Sequence, residues 1–170
     1  MIKRLIRKVL GLGAKPSKVQ RVPVARHHIQ RTHISAAALR TCEVLQAEGY
    51  SAYVVGGAVR DLLLGVTPKD YDVATDARPE QVKPLFRRAL LIGRRFRIVH
   101  VVIGQETIEV STFRADDTQG AEKDAHGRVL RDNVFGTQEQ DARRRDFSVN
   151  ALYYDPNTEE VIDFHGGLAD

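Results

Sequence analysis

A strand, a glycine pair and a helix follow one another in Tyr53-Val-Val-Gly-Gly-Ala-Val-Arg-Asp-Leu-Leu-Leu-Gly65. Gly56 and Gly57 can adopt conformations that bring backbone N–H groups close to an anion, and the helix N-terminus adds a favourable dipole. Arg60, one turn into the helix, can reach the same anion. The pattern predicts a phosphate-binding turn. The alternative is a tight strand-to-helix turn without a ligand, in which Arg60 and Asp61 form a surface ion pair.

Helical and extended patterns alternate on both sides of this turn. Ser35 is the predicted N-cap of a helix that Gly49 ends, and Thr137 with Gln140 forms a capping box for a helix through about residue 152. We expect further helices over 58–64 and 79–88, a polar loop over 115–135, and strands over 52–55, 71–74, 96–103, 107–113 and 161–164. This alternation, with a hairpin inside it, indicates the α/β class (mixed α+β), a small mixed sheet with flanking helices.

The composition excludes several classes of protein. No apolar run approaches the roughly 18 residues of a membrane span. A chain of 170 residues with 42% hydrophobic and 28% charged residues is typical of one folded domain and not of a low-complexity segment. The single cysteine, Cys42, excludes a disulfide framework and is expected to be a small core residue. Because such cysteine usage fits a reducing compartment, we expect a cytoplasmic protein.

Charge divides the chain into two parts. The first 42 residues contain ten lysines and arginines and no acidic residue, whereas the remainder carries 16 basic and 22 acidic residues. We therefore expect residues 1–34 to form a basic, flexible arm and residues 35–170 to form the folded domain. The arm predicts a polyanionic partner, either nucleic acid or an anionic surface, or else a solvated tail. Because the apolar residues of 1–11 share one helical face, a membrane-surface helix or an organellar transit peptide also stays open.

Three acidic residues are candidates for a shared metal ion. Asp70 and Asp72 lie two apart in an extended segment, so their carboxylates point to the same side. In the 107–113 strand, Glu109 faces away from Ile108 and Val110. If the two strands are neighbours, the three carboxylates converge, and such hard oxygen ligands suit Mg²⁺ or Mn²⁺. The alternative is a chance Asp-x-Asp pattern and an exposed strand glutamate.

Two arginine-rich segments accompany these acids. The first is Arg143-Arg-Arg-Asp-Phe-Ser-Val-Asn150, in which Asp146 and Asn150 lie four apart on one helical face. Its dense arginines suit recognition of triphosphate and ribose. The second segment leads into the edge of a strand with Arg94, Arg95 and Arg97. The alternative for both is a solvated charged surface.

Three motifs in this order resemble the head domain of the class II polymerase-β-like nucleotidyltransferases, the family of bacterial poly(A) polymerases and tRNA CCA-adding enzymes. The motifs are residues 53–65, Lys69-Asp-Tyr-Asp72 and Arg144-Arg-Asp-Phe-Ser-Val-Asn-Ala-Leu152. Within the family, Leu91-Ile-Gly-Arg-Arg-Phe-Arg-Ile-Val-His100 is similar to the stretch that marks the poly(A) polymerases. The resemblance extends from about residue 28 to residue 170. It implies a nucleotidyltransferase head that adds AMP from ATP to RNA 3′ ends.

The resemblance also implies a role for each candidate residue. Asp70 and Asp72 would hold the catalytic Mg²⁺ or Mn²⁺ ions, with Asp146 among the active-site acids, and Glu109 is the third carboxylate that strand geometry adds. ATP would be bound by Gly56, Gly57, Arg60, Asp61, Arg145 and Asn150. Weak contacts to RNA would come from Arg94, Arg95 and Arg97. The implied reaction is nucleotidyl transfer assisted by two metal ions.

Several possibilities stay open at this point. Family members continue past the position of Asp170 into helical neck, body and tail domains, which carry an Asp/Glu-x-x-Arg motif for adenine recognition. We therefore expect the head by itself to be impaired. One alternative function is tRNA CCA addition with the same metals. Another is a non-catalytic RNA-binding module whose basic arm contacts phosphates.

Overall fold

The computed structural model describes residues 19–94, 96–115, 135–145 and 148–169. Its strands are β1 (Gln20–Val22), β2 (Ala52–Val55), β3 (Asp72–Thr75), β4 (Ala89–Ile92), β5 (Ile98–Ile103), β6 (Glu106–Thr112), β7 (Leu152–Asp155) and β8 (Glu160–Asp163). Its α-helices are α1 (Val24–His27), α2 (Ala36–Ala47), α3 (Gly57–Leu63), α4 (Pro79–Val82) and α5 (Gln138–Arg143). Short 3₁₀ helices are formed by Arg31–His33, Lys83–Leu85, Ser148–Ala151 and Gly167–Ala169. The predicted mixed α+β class is confirmed.

Within the described residues, the strands form one mixed sheet in the order β1-β8-β7-β2-β3-β6-β5-β4. Strands β3 and β6 pair in parallel, and the other neighbours pair antiparallel. The register sets Val55 opposite Asp72, Asp72 opposite Glu109, and Glu109 opposite His100. Directly opposed residues project to the same face of a sheet. The fold therefore lines up these four side chains in one row across four strands.

Apolar side chains cover both faces of the centre of this sheet. On one face, helix α2 packs Cys42 and Leu45 against strand residues that are at most 2% exposed: Val54, Val73, Val101, Ile108 and Val110. The opposite face buries Val55, Ala74, Phe113, Ala142, Tyr153 and Phe164. Burial raises the pKa of the Cys42 thiol, which keeps it protonated and confirms its prediction as a core residue.

Several predicted elements are present as expected. The Ser35 side chain accepts a hydrogen bond from the backbone N–H of Ala38 at 3.2 Å and begins α2. The hairpin of β5 and β6 turns at Gly104, whose φ is 62°. Thr137 and Gln140 form the predicted capping box at the start of α5. No helix in the described part of the chain has the length and apolarity that a membrane crossing requires.

Two predicted helices are much shorter than the sequence pattern suggests. The helix expected over 79–88 ends at Val82, continues as a 3₁₀ turn and gives way to β4. Pro84 lacks the N–H that an α-helix would use at this position, and the following residues pair with β5 instead. The helix expected over 137–152 ends at Arg143, residues 148–151 form a 3₁₀ helix, and Leu152–Asp155 forms β7 between β2 and β8. Strand pairing has overridden the helical pattern in both places.

The predicted arm over residues 1–34 is wrong for its second half. Strand β1 pairs with β8, so residues 20–22 extend the sheet. The Nε2 atom of His27 lies 2.7 Å from the Glu159 carbonyl oxygen. Its Nδ1 atom accepts a hydrogen bond from the Ile29 N–H at 2.9 Å. Ile29 is 1% exposed. Packed structure thus begins before Ser35, because local apolar residues and one histidine attach this segment to the sheet. Residues 1–18 lie outside the described residues, as does most of the predicted 115–135 loop.

We expect His27→Phe to lower the free energy of unfolding of the 170-residue chain by about 1–3 kcal/mol. Phenylalanine keeps the ring, which meets Tyr154 edge-on at 6.0 Å, but it leaves the Glu159 carbonyl and the Ile29 N–H without their partner. Urea denaturation measures the change. Arg26→Ala, on the exposed side of α1, is the matched control and should stay within about 0.5 kcal/mol of the parent. Equal stability of the two variants would contradict this role of His27.

Candidate functional site

The turn between β2 and α3 brings the backbone close to two charged side chains. Gly56 has a φ of 77°, a conformation that favours glycine. A Cβ placed on Gly56 would lie 3.9 Å from Asp72 Oδ2 and 3.9 Å from Arg145 Nη1. The turn therefore lies beside one acid and one guanidinium from two other parts of the chain.

Arg60 and Asp61 pair with each other in this structure. The Arg60 Nε and Nη2 atoms both lie 3.3 Å from Asp61 Oδ1. The guanidinium folds over Gly57, since a Cβ there would lie 3.3 Å from Arg60 Nη2. Arg60 also lines a groove of about 590 Å³ with Leu63 and Leu64. This is the surface ion pair of the alternative interpretation, and ATP binding by these two residues stays a prediction.

The second feature of the site is a pair of neighbouring carboxylates. Asp72 and Glu109 are direct partners across the parallel strands β3 and β6. Although part of Asp72 is accessible to water, loss of solvent around its carboxyl raises its pKa to about 6. Repulsion from Glu109 and Asp70 adds to this rise, and Arg145 opposes it. The two strand acids thus form a centre of crowded negative charge.

The third predicted acid, Asp70, is exposed in the segment before β3. In the ranges that the structure describes, no three His, Cys, Asp or Glu side chains are grouped as metal ligands would be. The structure therefore brings two of the three predicted acids together as strand neighbours, and Asp70 acts on Asp72 through its charge.

A buried carboxylate that the sequence analysis did not single out, Asp141, holds two arginines at the site. Asp141 is 1% exposed. It accepts hydrogen bonds from Arg144 Nε at 3.0 Å, from Arg145 Nη2 at 3.2 Å and from the Tyr153 hydroxyl at 2.7 Å. The backbone N–H of Arg114 donates to it as well, at 3.2 Å. With donors from four residues on one carboxylate, the guanidinium groups are fixed in direction rather than left as a mobile surface run.

The charge balance around this anchor favours charged arginine. Burial alone lowers the pKa of Arg145, but Asp141 more than offsets this and the net pKa is raised. Burial and the same carboxylate also raise the pKa of Tyr153, which stays a hydroxyl donor. The spacing of Asp141 to Arg144 and Arg145, three and four residues, is the sequence signal that could have identified the anchor, because such residues are neighbours on a helix.

These features meet in a cavity of about 230 Å³. Its described lining has one acidic side, formed by Asp72 and Glu109. The basic lining residues are Arg97, Arg114, Arg144 and Arg145, and the aromatic ones are Phe96 and Phe135. A cavity with carboxylates on one side and several guanidinium groups around it suits a ligand that carries both phosphate and a divalent cation.

The other predicted residues are only partly placed. Asn150 is half-buried in the 3₁₀ helix Ser148–Ala151. Because α5 ends at Arg143, the single helical face predicted to carry Asp146 and Asn150 does not form as one α-helix. Asp146 and Arg95 lie outside the described residues. Arg94 is exposed, whereas Arg97 lines the cavity.

Comparison with known proteins agrees with this architecture. The family described as the Poly A polymerase head domain matches residues 52–170. Poly(A) polymerase I of Haemophilus influenzae is 49% identical over 155 residues, which are 88% of this chain and 34% of that protein. The chain thus spans about a third of the length of the curated relatives that it matches.

Solved structures of nucleotidyltransferases are also similar to this chain. The Bacillus stearothermophilus CCA-adding enzyme in complex with CTP is similar at 38% identity with a TM-score of 0.61, over 77% of this chain and 30% of that one. A tRNA nucleotidyltransferase complexed with a primer tRNA and an incoming ATP analog is 28% identical with a TM-score of 0.56, over 76% of this chain and 36% of that one.

We expect Asp72→Asn to stabilise the chain near neutral pH when divalent cations are removed with EDTA. In the folded chain the pKa of Asp72, about 6, lies above its ordinary 3.8, so ionisation costs stability as the pH rises through this range. Because the carboxylate is partly exposed, the gain is on the order of 1 kcal/mol and a few °C in Tm. Thermal unfolding should show the gain above pH 6 and its decline as the pH falls towards 4. Glu106→Gln, at the exposed start of β6, is the control, and an equal gain there would contradict the assignment.

We expect Asp141→Asn to destabilise the chain by about 3 kcal/mol, because it leaves two partly buried guanidinium groups without a counter-charge. The neighbouring ion pair of Glu139 with Arg143, 3.4 Å apart on the same helix, is exposed. Glu139→Gln therefore serves as the control and should cost less than about 0.5 kcal/mol. Chemical denaturation of both variants measures the difference. Similar losses in the two would show that Asp141 is not the anchor.

Proposed function

Because the chain belongs to the Poly A polymerase head domain family, we propose that it is the catalytic head of a template-independent adenylyltransferase. This enzyme transfers AMP from ATP to the 3′ ends of RNA. The observation that carries the proposal is the pair of neighbouring carboxylates, Asp72 and Glu109, flanked by the glycine turn and by Arg145. Acids for a metal–nucleotide complex and a fixed cation for its phosphates are the parts that such a reaction needs.

The ATP triphosphate binds against Arg145 and the backbone of Gly56 and Gly57. Support comes from the position of Arg145 beside Gly56 and from the anchoring of its guanidinium by Asp141. Asp146, as a further active-site acid, and Asn150, in the ribose and phosphate pocket, are proposed from the family motif that they occupy. A guanidinium held in place in advance binds phosphate without first losing side-chain freedom.

Asp70, Asp72 and Glu109 are the residues that would hold Mg²⁺ or Mn²⁺. Their fit to such an ion rests on the donor set, which is all carboxylate oxygen, and on the crowding that raises the pKa of Asp72. The chemistry that two such ions supply when bound is a lower pKa of the RNA 3′-hydroxyl and neutralisation of charge on the departing pyrophosphate. The residues of this chain orient the triphosphate, and Arg145 opposes the rise in the pKa of Asp72.

Poly(A) addition is favoured over CCA addition by two observations. The identity to the Haemophilus influenzae poly(A) polymerase I exceeds that to the Bacillus stearothermophilus CCA-adding enzyme. Residues 91–100 also resemble the stretch that marks the poly(A) polymerases. CCA addition to tRNA is the second candidate, supported by similarity to CCA-adding enzymes and to a nucleotidyltransferase bound to primer tRNA.

The partners follow from this reaction. They are ATP and an RNA 3′ end, with Arg94, Arg95 and Arg97 as weak RNA contacts and residues 1–18 as a basic segment for RNA or an anionic surface. The bacterial relatives support a cytoplasmic location. By itself this head would be a poor and unselective polymerase, since base recognition in the family belongs to other domains.

A combined Asp70→Ala and Asp72→Ala change in the protein translated from its complete reading frame should abolish Mg²⁺-dependent incorporation of labelled ATP, by at least about 10²-fold. RNA binding, measured by filter retention, should persist, because the basic residues are untouched. The product should be a homopolymeric A tail rather than a three-nucleotide CCA end, which distinguishes the two enzymes.

The matched control combines Glu48→Ala and Glu80→Ala. Both glutamates are exposed and lie outside the cavity lining, so the pair makes the same change in charge and should incorporate AMP normally. Incorporation that persists in the Asp70 and Asp72 variant would overturn the site. A parent protein that binds RNA and incorporates no nucleotide would indicate a non-catalytic RNA-binding module.

A further inference from the structure

An exposed aromatic ring lies on the cavity wall, next to the strand that carries Glu109. Phe96 is 39% exposed and lines the same cavity as Asp72 and Glu109. The Arg114 guanidinium carbon lies only 3.4 Å from the centroid of the Phe96 ring. Phe96 precedes β5 and Arg114 follows β6, so the two residues approach from adjacent strands and fix each other's orientation.

This arrangement has the chemistry of a stacking surface. A cation over a ring face is an attractive contact and holds the ring in one plane. Phenyl and guanidinium planes are also the groups on which proteins stack nucleic acid bases. Arg97 adds a further positive charge to the same wall, where it can neutralise a backbone phosphate.

We propose that Phe96 and Arg114 form a platform on which the 3′-terminal base of the acceptor RNA stacks. The inference rests on the proposed function and adds to it the site of the acceptor. In strand order, the glycine turn at the end of β2 lies on one side of the acids, and Phe96, next to β5, lies on the other.

In-line transfer requires that the attacking and leaving oxygens lie on opposite sides of the phosphorus. The RNA 3′-hydroxyl loses its proton to solvent water, and O3′ forms a bond to the α-phosphorus of ATP. The bond from that phosphorus to the bridging oxygen breaks, and pyrophosphate leaves with the electron pair. With the triphosphate at Gly56 and Arg145, the acceptor enters from the side of Phe96. Every base has a π-face, so this platform accepts any 3′-terminal base.

The test compares two short RNAs that differ only at the 3′ end, one with a terminal adenosine and one with an abasic terminal ribose. Their affinities are measured by fluorescence anisotropy with the protein from its complete reading frame, in Mg²⁺ without ATP. We expect the parent to bind the adenosine end roughly 10-fold more tightly. Phe96→Leu should lose this preference by weakening the adenosine-ended RNA alone, and Phe96→Tyr should keep it.

Leu90→Ala is the matched control, since Leu90 is 61% exposed on the neighbouring β4 and lies outside the cavity lining. It should keep the parent preference. A Phe96→Leu variant that retains the preference, or that weakens both RNAs equally, overturns the proposal. A rise of the KM for ATP with an unchanged preference overturns it too, because the platform then serves the base of ATP.

The readout separates this proposal from the proposed function. A parent protein that prefers the adenosine end and incorporates no AMP refutes the enzyme but supports the platform. A parent that incorporates AMP but binds both RNAs equally refutes the platform alone.

Discussion

The parallel pairing of β3 with β6 sets two carboxylates side by side, and this unfavourable contact is the constraint around which the site is built. Asp72 and Glu109 repel each other without a cation between them. Their backbones cannot move apart without breaking the strand pair, whose other residues include the fully or nearly fully buried Val73 and Val110. Burial of about 1.5–3 kcal/mol per such side chain is large compared with the repulsion between partly exposed acids. The core therefore holds the acids together.

A second charged group, the Asp141 carboxylate with its arginines, lies next to the acids and has the opposite surroundings. Asp141 is buried and surrounded by donors, whereas Asp72 is partly exposed and surrounded by acids. Arg145 connects the two, since it bonds Asp141 and lowers the pKa of Asp72. One arginine thus balances charge on both sides, which explains how a small head can hold several like charges close together. The Nη1 atom of Arg145 also lies close to the glycine turn.

The two halves of the sheet, on either side of the two acids in strand order, differ in the exposure of their side chains. From β2 towards β8, the face is covered by Tyr153 and Phe164, and Phe113 after β6 also packs on Tyr153; these rings meet edge-on. From Glu109 towards β4, the exposed residues increase, and Phe96 with Arg114 borders the cavity. The buried half packs against the acids and arginines, and the more exposed half borders the cavity. The fold therefore places the acids at the border between a covered and an accessible part of the sheet.

From the sequence alone, the glycine turn, the capped helix at Ser35, the hairpin at Gly104 and the class of fold could be predicted, because each depends on local conformational preference or on local alternation of apolar residues. The short strands β1 and β7 could not, since β1 pairs with β8 and β7 pairs with β2, each far away in sequence. Strand β4 pairs with the nearby β5, but its apolar pattern also fitted the end of a helix. Asp141 has a local signal in its spacing to Arg144 and Arg145, but its burial and its bond to Tyr153 are set by packing. The contact of Asp72 with Glu109 followed only if the two strands were neighbours, and strand order is decided by long-range packing that no local pattern contains.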